Sequence, residues 1–357
     1  MKELIEEIQI ILSDYRQDEN DESVRITTDN ILDWINQFDP AIQLQILTEL
    51  KNIFDKRYLS KNRVKRFLEI TIEKLTKDFK YTDPLDFLNN CNFLNLQSTG
   101  KSQDVMLSLL NEVIIEKYQI SLENCGLISH KYSVYIDDIL CTGLTLINNI
   151  TDWSSEEFNS GKTNLMAVND GSTILVFAYV FIHDKNYYKK VAEMRFKISK
   201  DFAAKHKMYR LLGVDNNYNA TSKIDFVFPI ANLAYQDVID YKDEIVFDVD
   251  IYTQKYNNVS IEEFYRPVGL PQTEMFFTDS TNRVVLEDAF LRKGIQILKT
   301  SNPANKNIRA LGYSIPSLKN FGFGALCFTW RNVPNNAPLV FWYAGGGFRP
   351  LFKVTRR

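Results

Sequence analysis

The fold is decided by residues 134–145, which read VYIDDILCTGLT. An apolar run leads into two consecutive acids, Asp137 and Asp138, and two further apolar residues precede a short loop that opens a helical pattern. In open α/β proteins, ligands bind at the carboxyl edge of the parallel sheet. A strand that ends in two aspartates presents their carboxylates at that edge, so we expect both side chains to face a ligand there rather than the protein interior.

The loop after the acids is small and rich in hydroxyl groups. It consists of Cys141, Thr142, Gly143, Leu144 and Thr145. The glycine permits close approach of the backbone to a ligand, and the first turn of the following helix offers unpaired N–H groups to an anion. Because carboxylates can hold sugar hydroxyls while the loop holds a phosphate, the pattern predicts a site for a ribose 5-phosphate.

Strand and helix patterns alternate around this stretch. The sequence predicts strands over residues 93–96, 132–136, 173–182 and 224–230, and helices over 104–117 and 144–150. Residues 173–182, TILVFAYVFI, form a continuous apolar run that is typical of a central parallel strand buried on both faces. The alternation predicts an α/β fold with a Rossmann-like parallel sheet.

The chain is predicted to form three consecutive domains. They are a helical N-terminal domain over residues 1–88, an α/β core over 89–250 and a C-terminal α+β extension over 251–357. In the extension, an amphipathic helix is expected to begin at Arg283 and to end near Gly294, and strands are expected over residues 295–298 and 339–343.

Residues 134–145 resemble the motif with which type I phosphoribosyltransferases bind 5-phosphoribosyl 1-pyrophosphate (PRPP). That motif has hydrophobic residues, two acids, two hydrophobic residues and a small Thr-Gly-x-Thr loop, and Cys141 stands where Ser, Thr, Ala or Val is usual. The resemblance implies that Asp137 and Asp138 bind the 2′- and 3′-hydroxyls of the ribose and that residues 141–145 cradle its 5′-phosphate. It also implies a phosphoribosyltransferase-like fold and pentosyl transfer at ribose C1, with Mg²⁺ carried by the substrate pyrophosphate and no metal ligand on the protein.

A second loop, residues 96–103 (LQSTGKSQ), follows the first predicted strand of the core and opens a helix. Its candidate binding residues are Ser98, Thr99, Gly100, Lys101 and Ser102. The resemblance makes it the loop that grips pyrophosphate through backbone amides. Two alternatives remain open, namely an ordinary helix-capping loop and a degenerate P-loop with Asn95 at its first glycine position.

The C-terminal part is rich in aromatic residues and short motifs, among them NVPNN at residues 332–336 and PLF at 350–352. Together with the helical N-terminus, these motifs resemble phosphoribosyltransferase-like proteins of bacterial conflict and antiphage systems, of the retron-associated, PRTase-CE-like type. The resemblance implies a defence effector with a protein partner from a neighbouring gene, such as a retron reverse transcriptase complex, and with nucleic acid contacted only through that complex. The residues leave open whether the aromatics fill a core or stack on a base.

Composition narrows the function classes. The net charge of −3 over 357 residues argues against broad nucleic-acid binding by charge alone, although Lys61, Arg63, Lys65 and Arg66 form either a solvated face or a contact patch. The sequence contains no apolar run of about 18 residues, so it predicts no membrane span. The four cysteines form no CxxC pair and fit a reducing compartment, so we expect a cytoplasmic protein.

Two function classes share the acidic pair and its loop. One is an enzyme that binds PRPP or a nucleoside 5′-phosphate and transfers or cleaves at ribose C1. The other is a non-catalytic module that senses a nucleotide for a defence complex. A P-loop NTPase is a third alternative, and the acceptor of any transfer is not identified by the sequence.

Overall fold

The computed structural model describes residues 1–215, 223–232 and 234–354. Its α-helices are α1 Lys2–Ile11, α2 Thr28–Ile35, α3 Gln43–Arg57, α4 Lys61–Asp78, α5 Pro84–Leu88, α6 Ser102–Tyr118, α7 Leu144–Ser155, α8 Asn164–Asp170, α9 Asp184–Lys197, α10 Lys200–Ala204, α11 Gln236–Tyr256, α12 Ser280–Ser301 and α13 Leu339–Trp342. Its strands are β1 Tyr58–Leu59, β2 Cys91–Phe93, β3 Tyr132–Leu140, β4 Glu157–Asn159, β5 Lys162–Thr163, β6 Ile174–His183, β7 His206–Val214, β8 Ile261–Glu262, β9 Ile308–Arg309, β10 Gly312–Tyr313, β11 Leu318–Lys319 and β12 Phe328–Thr329.

The chain divides into two compact units. The first joins Met1–Ser60 to Asp215–Arg357, and the second is Lys61–Val214. This division differs from the three consecutive domains predicted above. The predicted boundary after residue 88 falls inside the second unit, and the boundary after residue 250 falls inside α11.

The second unit contains a four-stranded sheet in the order β2-β3-β6-β7, with every neighbouring pair parallel. Strand β6 is buried along nearly its whole length, as its continuous apolar sequence predicts. The parallel sheet with its covering helices confirms the predicted α/β class. Strand β7 was not predicted, because its sequence mixes charged with apolar residues and only part of it is buried.

Helix α7 packs on this sheet and fixes the position of its own first turn. Leu146, Ile147 and Ile150 of α7 join Tyr135 of β3 and Phe177 of β6 in one hydrophobic core. Because α7 begins only four residues after β3 ends, this packing holds the connecting loop, residues 141–143, at the carboxyl end of β3. The predicted strand–loop–helix order is therefore present.

The basic residues at the start of α4 are engaged within the same unit. Lys65 forms ion pairs with Glu112 and Glu116 of α6 at 3.1 and 2.7 Å, and Arg66 bonds Glu69 on its own helix at 2.6 Å. Exposed pairs of this kind contribute little stability individually. Their engagement favours the interpretation as a solvated, ion-paired face over that of a nucleic-acid contact.

In the first unit, α1–α3 share one hydrophobic core with the C-terminal elements. Trp34 of α2 stacks on Phe341 of α13 with ring centroids 6.3 Å apart, and its indole N–H donates to the carbonyl of Val340 at 2.8 Å. Phe352 is fully buried, and Trp342 donates its indole N–H to the carbonyl of Ala337 at 2.7 Å. These contacts favour the interpretation that the C-terminal aromatics fill a core.

Three strands predicted from the sequence are wrong. Residues 224–230 form no strand, residues 295–298 continue α12 to Ser301, and residues 339–342 are helix α13. Gly294 lies within α12 and does not end it. A glycine is needed there because another part of the chain packs closely against it. A Cβ there would lie 2.5 Å from the carbonyl oxygen of Ala310, so only glycine lets that neighbouring chain approach.

Along the described parts of the chain, we find no helix whose length and apolar character would let it cross a bilayer.

Candidate functional site

Asp137 and Asp138 lie inside strand β3 and not beyond its end. The strand continues to Leu140, with Asp137 opposite Tyr179 and Leu140 opposite Ile182 of β6. Their side chains are 5% and 4% exposed. The expectation that both carboxylates are accessible at the edge of the sheet is thus not met in this conformation, because pairing with β6 extends β3 four residues past the predicted end.

The surroundings of Asp137 are polar despite its burial. Ser102 Oγ donates a hydrogen bond to Oδ1 at 2.7 Å, and Gln97 Nε2 donates to Oδ2 at 2.8 Å. The backbone N–H of Asp138 also donates to Oδ1 at 2.9 Å, and the Tyr135 hydroxyl lies 3.4 Å from Oδ2. The structure therefore brings the second loop and the acidic strand together at one carboxylate.

The same surroundings perturb the acidity of Asp137. Burial, followed by the negative charge of Asp138, raises its pKa to about 7, against the opposing effect of the hydrogen bond from Ser102. Strongly perturbed carboxyl groups concentrate at functional sites, although buried structural networks also produce them. Burial and the neighbouring Asp138 thus make Asp137 a much weaker acid than an exposed aspartate.

This shift predicts how stability depends on pH. The pKa of Asp137 rises from 3.8 in the unfolded chain to about 7 in the folded one. The folded state binds the extra proton between those values, so its stabilising effect is complete below about pH 4 and is lost as the pH rises through 7. Relative to the non-titrating variant Asp137→Asn, the wild type should lose about 2–4 kcal/mol of unfolding free energy over this window.

Urea denaturation at several pH values, followed by hydrogen exchange of peptides from β3, measures this difference. Asp152→Asn on α7, which removes an exposed carboxylate of the same unit, should follow the wild type at every pH. If the unfolding free energies of the wild type and Asp137→Asn change with pH in parallel, the pKa of the Asp137 carboxyl is not raised by folding.

The loop between β3 and α7 has the features of an anion site. Gly143 adopts a left-handed conformation with φ of +72° and provides no side-chain cap for α7, although the N–H of Leu144 donates weakly to Thr142 Oγ1 at 3.4 Å. The carbonyl of Cys141 accepts a hydrogen bond from Asn186 at 2.8 Å, whereas Leu144 and Thr145 are exposed. The first turn of α7 can therefore offer N–H groups to a phosphate.

The side chain of a lysine also packs closely against Gly143. A Cβ at this position would lie 2.6 Å from Cγ of Lys190 on α9. Gly143→Ala is expected to destabilise the second unit by about 2–4 kcal/mol, from the left-handed backbone and from overpacking against Lys190.

Gly171 provides a matched control for this variant, because it has φ of +81° and open space around the position of a Cβ. Gly171→Ala should carry only the backbone cost, of about 1 kcal/mol or slightly more. Adding Lys190→Ala to Gly143→Ala should restore the stability that Gly143→Ala loses beyond the loss in Gly171→Ala. Equal losses in the two alanine variants, measured by urea denaturation, would rule out the lysine contact.

Most of the second loop is exposed and lies outside these contacts. Ser98, Thr99, Gly100 and Lys101 are exposed, and the N–H of Gly100 donates to Asp104 Oδ2 at 2.8 Å. Of the five predicted residues in this loop, Ser102 is the one placed on Asp137. The Ser102–Asp137 contact is compatible both with a pyrophosphate-binding loop and with the serine of a P-loop.

Sequence reasoning missed Gln97, Gln103 and Tyr135. Tyr135 lies two residues before Asp137, so both side chains share one face of β3, and this spacing could have identified it. The Oε1 atom of Gln103, which is fully buried, accepts the N–H groups of Leu96 and Gln97 at 2.7 and 3.1 Å. No local pattern identified Gln103, because its partners become neighbours only in the folded loop.

Comparison with known proteins adds one finding. A family model described as PRTase-CE matches residues 31–354. No curated protein and no solved structure matches the chain. The family match agrees with the resemblance inferred from the short motifs, and the mixed α/β structure with its parallel sheet is consistent with a phosphoribosyltransferase-like fold.

Proposed function

The chain belongs to the PRTase-CE family, whose model spans nearly its whole length, and from this premise we propose that it binds PRPP or a nucleoside 5′-phosphate and transfers or cleaves at ribose C1. Membership supports a phosphoribosyltransferase-like effector at a coarse level. The substrate, the metal and the biological role are parts of the proposal.

One observation carries the proposal beyond family membership. Asp137 accepts hydrogen bonds from Gln97 and Ser102 of the second loop, and it lies six residues before the left-handed Gly143 at the start of α7. Acidic acceptors and a helix N-terminus whose N-cap is a glycine thus occur on one strand–loop–helix segment. This is the combination that a sugar phosphate requires, with acceptors for hydroxyls and N–H donors for phosphate.

Phosphoribosyl transfer passes through an oxocarbenium-like sugar, so the protein acts by positioning and by electrostatics. We assign Asp137 and Asp138 to the ribose hydroxyls, where their negative charge favours the positive charge that develops at C1. Residues 141–145 anchor the 5′-phosphate, and residues 98–102 meet the pyrophosphate. Mg²⁺ bound to the oxygens of the substrate would supply positive charge that offsets the charge of the leaving pyrophosphate.

We further propose a role in antiphage defence, with a protein partner encoded by a neighbouring gene, such as a retron reverse transcriptase complex. The support is the resemblance of the C-terminal motifs and the helical N-terminus to conflict-system proteins. Nucleic acid is contacted only through the complex. The ion pairs of Lys65 and Arg66 support this last point, since they occupy basic groups that could otherwise meet a phosphate backbone.

Titration of the purified chain with PRPP and Mg²⁺ by calorimetry, with ³¹P NMR on the same samples, tests the proposal. Binding followed by pyrophosphate release supports the enzyme. Binding without release, and without metabolite changes in cells that express the protein, supports the nucleotide sensor. ATP hydrolysis without PRPP binding supports the P-loop alternative, and binding of neither ligand contradicts the proposal.

A further inference from the structure

We propose that Gln97 and Ser102 form a latch that holds Asp137 closed and that the pyrophosphate of the ligand opens. This inference rests on the proposed function and adds a regulation of the same site. The latch is defined as the side chains of Gln97 and Ser102 together with their hydrogen bonds to Asp137.

The first step is a count of acceptor positions on Asp137. An ionised carboxylate offers about four lone-pair positions, two on each oxygen. Oδ1 accepts from Ser102 Oγ and from the N–H of Asp138, at 2.7 and 2.9 Å. Oδ2 accepts from Gln97 Nε2 at 2.8 Å and more weakly from the Tyr135 hydroxyl at 3.4 Å. All four positions are occupied, so a sugar hydroxyl must displace a donor.

The second step identifies which donors can leave. The N–H of Asp138 belongs to the backbone of β3, and Tyr135 is fully buried on the same strand. Gln97 and Ser102 instead flank the exposed residues 98–101, Gln97 in the loop and Ser102 as the first residue of α6. Movement of the loop, together with a rotation of the Ser102 side chain at the first position of α6, would withdraw both donors from Asp137. The same movement is required for access, because Asp137 is 5% exposed.

The third step concerns Gln103, whose side chain fastens the backbone of the loop next to the latch. The Oε1 atom of Gln103 holds the N–H groups of Leu96 and Gln97, at 2.7 and 3.1 Å. Its Nε2 atom is buried and has no hydrogen-bond partner within the described residues. A buried donor without an acceptor destabilises the conformation that contains it. The closed latch therefore carries a cost that a rearranged loop can relieve.

These steps give the latch a chemical trigger. The proposed function places residues 98–102 on the pyrophosphate, and of these, residues 98–101 are exposed. A ligand with a pyrophosphate group draws this segment toward itself and thereby frees Asp137 for the ribose hydroxyls. Ribose 5-phosphate lacks that group, so it must displace Gln97 and Ser102 without help. The wild type should therefore bind PRPP much more tightly than ribose 5-phosphate.

Removing one latch donor tests the mechanism. Ser102→Ala should raise the affinity for ribose 5-phosphate roughly 5- to 10-fold, as expected for one hydrogen bond that no longer has to be displaced. The gain for PRPP should be smaller, because PRPP opens the latch itself and because Ser102 belongs to the segment that meets the pyrophosphate. Gln97→Met should act in the same direction and provides a second variant if Ser102→Ala folds poorly. The control is Ser108→Ala, which removes an exposed serine hydroxyl on the same helix.

Calorimetric titration with both ligands measures these affinities, and hydrogen exchange of peptides over residues 94–104 reports the loop without any ligand. Faster exchange in Ser102→Ala than in Ser108→Ala, with the selective gain for ribose 5-phosphate, supports the latch. The latch is ruled out if the two variants exchange equally fast, or if Ser102→Ala binds ribose 5-phosphate no more tightly than the wild type does. If the wild type binds neither ligand, the proposed function fails, and exchange alone then decides whether the loop is fastened by Ser102.

Discussion

Replacing Asp137 and Asp138 together by asparagine is expected to lower the affinity for PRPP by at least about 100-fold, because two charge-assisted hydrogen bonds to ribose hydroxyls are lost. Asparagine has nearly the same shape as aspartate, so the variant tests charge more than packing. In the wild type, both side chains are buried and Asp137 accepts bonds from Ser102 and Gln97. Any toxicity that depends on ligand turnover during phage infection should disappear with the affinity.

The variant is best assayed at pH 8, where Asp137 of the wild type is mostly ionised. Calorimetric titration with PRPP and Mg²⁺ gives the affinity, and circular dichroism shows whether the fold is retained. Asp152→Asn on α7 is the control, since it removes an exposed carboxylate from the same unit. An unchanged PRPP affinity in the double variant would refute the assignment of these acids, without affecting family membership or the fold.

The sequence was most informative where structure depends on neighbours along the chain. The strand, loop and helix around residues 132–150 were predicted because apolar runs, Gly143 and the following helical pattern are all local signals. The burial of Asp137 was not predicted. It depends on pairing with Tyr179, a residue 42 positions later, and on side chains from a loop 35 to 40 positions earlier.

The division of the chain into units was beyond local reasoning for the same reason. Helix α2 packs against α13 through Trp34 and Phe341, which lie about 300 residues apart. Hydrophobic periodicity shows that each helix has an apolar face, but it does not show which other face covers it. A boundary placed by a change in composition therefore separated elements that share one core.

Residues 224–230 show how a strand pattern can be misleading. The sequence IDFVFPI has the residue types of a strand. Its backbone is satisfied partly by side chains of α12 and partly by other segments, since the N–H of Val227 donates to the carbonyl of Gly324 at 2.9 Å. Arg283 donates to the carbonyl of Ile224 at 2.6 Å, and Glu287 accepts the N–H of Phe228 at 3.1 Å. Two buried charged side chains thus bond backbone groups that a neighbouring strand could otherwise pair, and no propensity scale anticipates such contacts.

This dependence leads to the largest expected effect on stability. Glu287→Ala should lower the free energy of unfolding of the unit formed by residues 1–60 and 215–357 by about 3–5 kcal/mol, the usual cost of breaking a buried ion pair. Glu287 is fully buried and bonds Arg266 at 2.9 Å and Arg283 at 3.2 Å. Without it, both guanidinium groups stay buried with less compensation, and the N–H of Phe228 loses its acceptor.

A second ion pair of the same unit provides the control. Lys51 and Asp55 of α3 are spaced i,i+4 like Arg283 and Glu287, but their side chains are 37% and 46% exposed. Asp55→Ala should cost far less than Glu287→Ala, because solvent screens such an exposed pair. Urea denaturation followed by tryptophan fluorescence measures both losses. Nearly equal losses would mean that residues 224–228 are held by apolar packing, whereas the expected gap of several kcal/mol would show that their backbone depends on charges buried in α12.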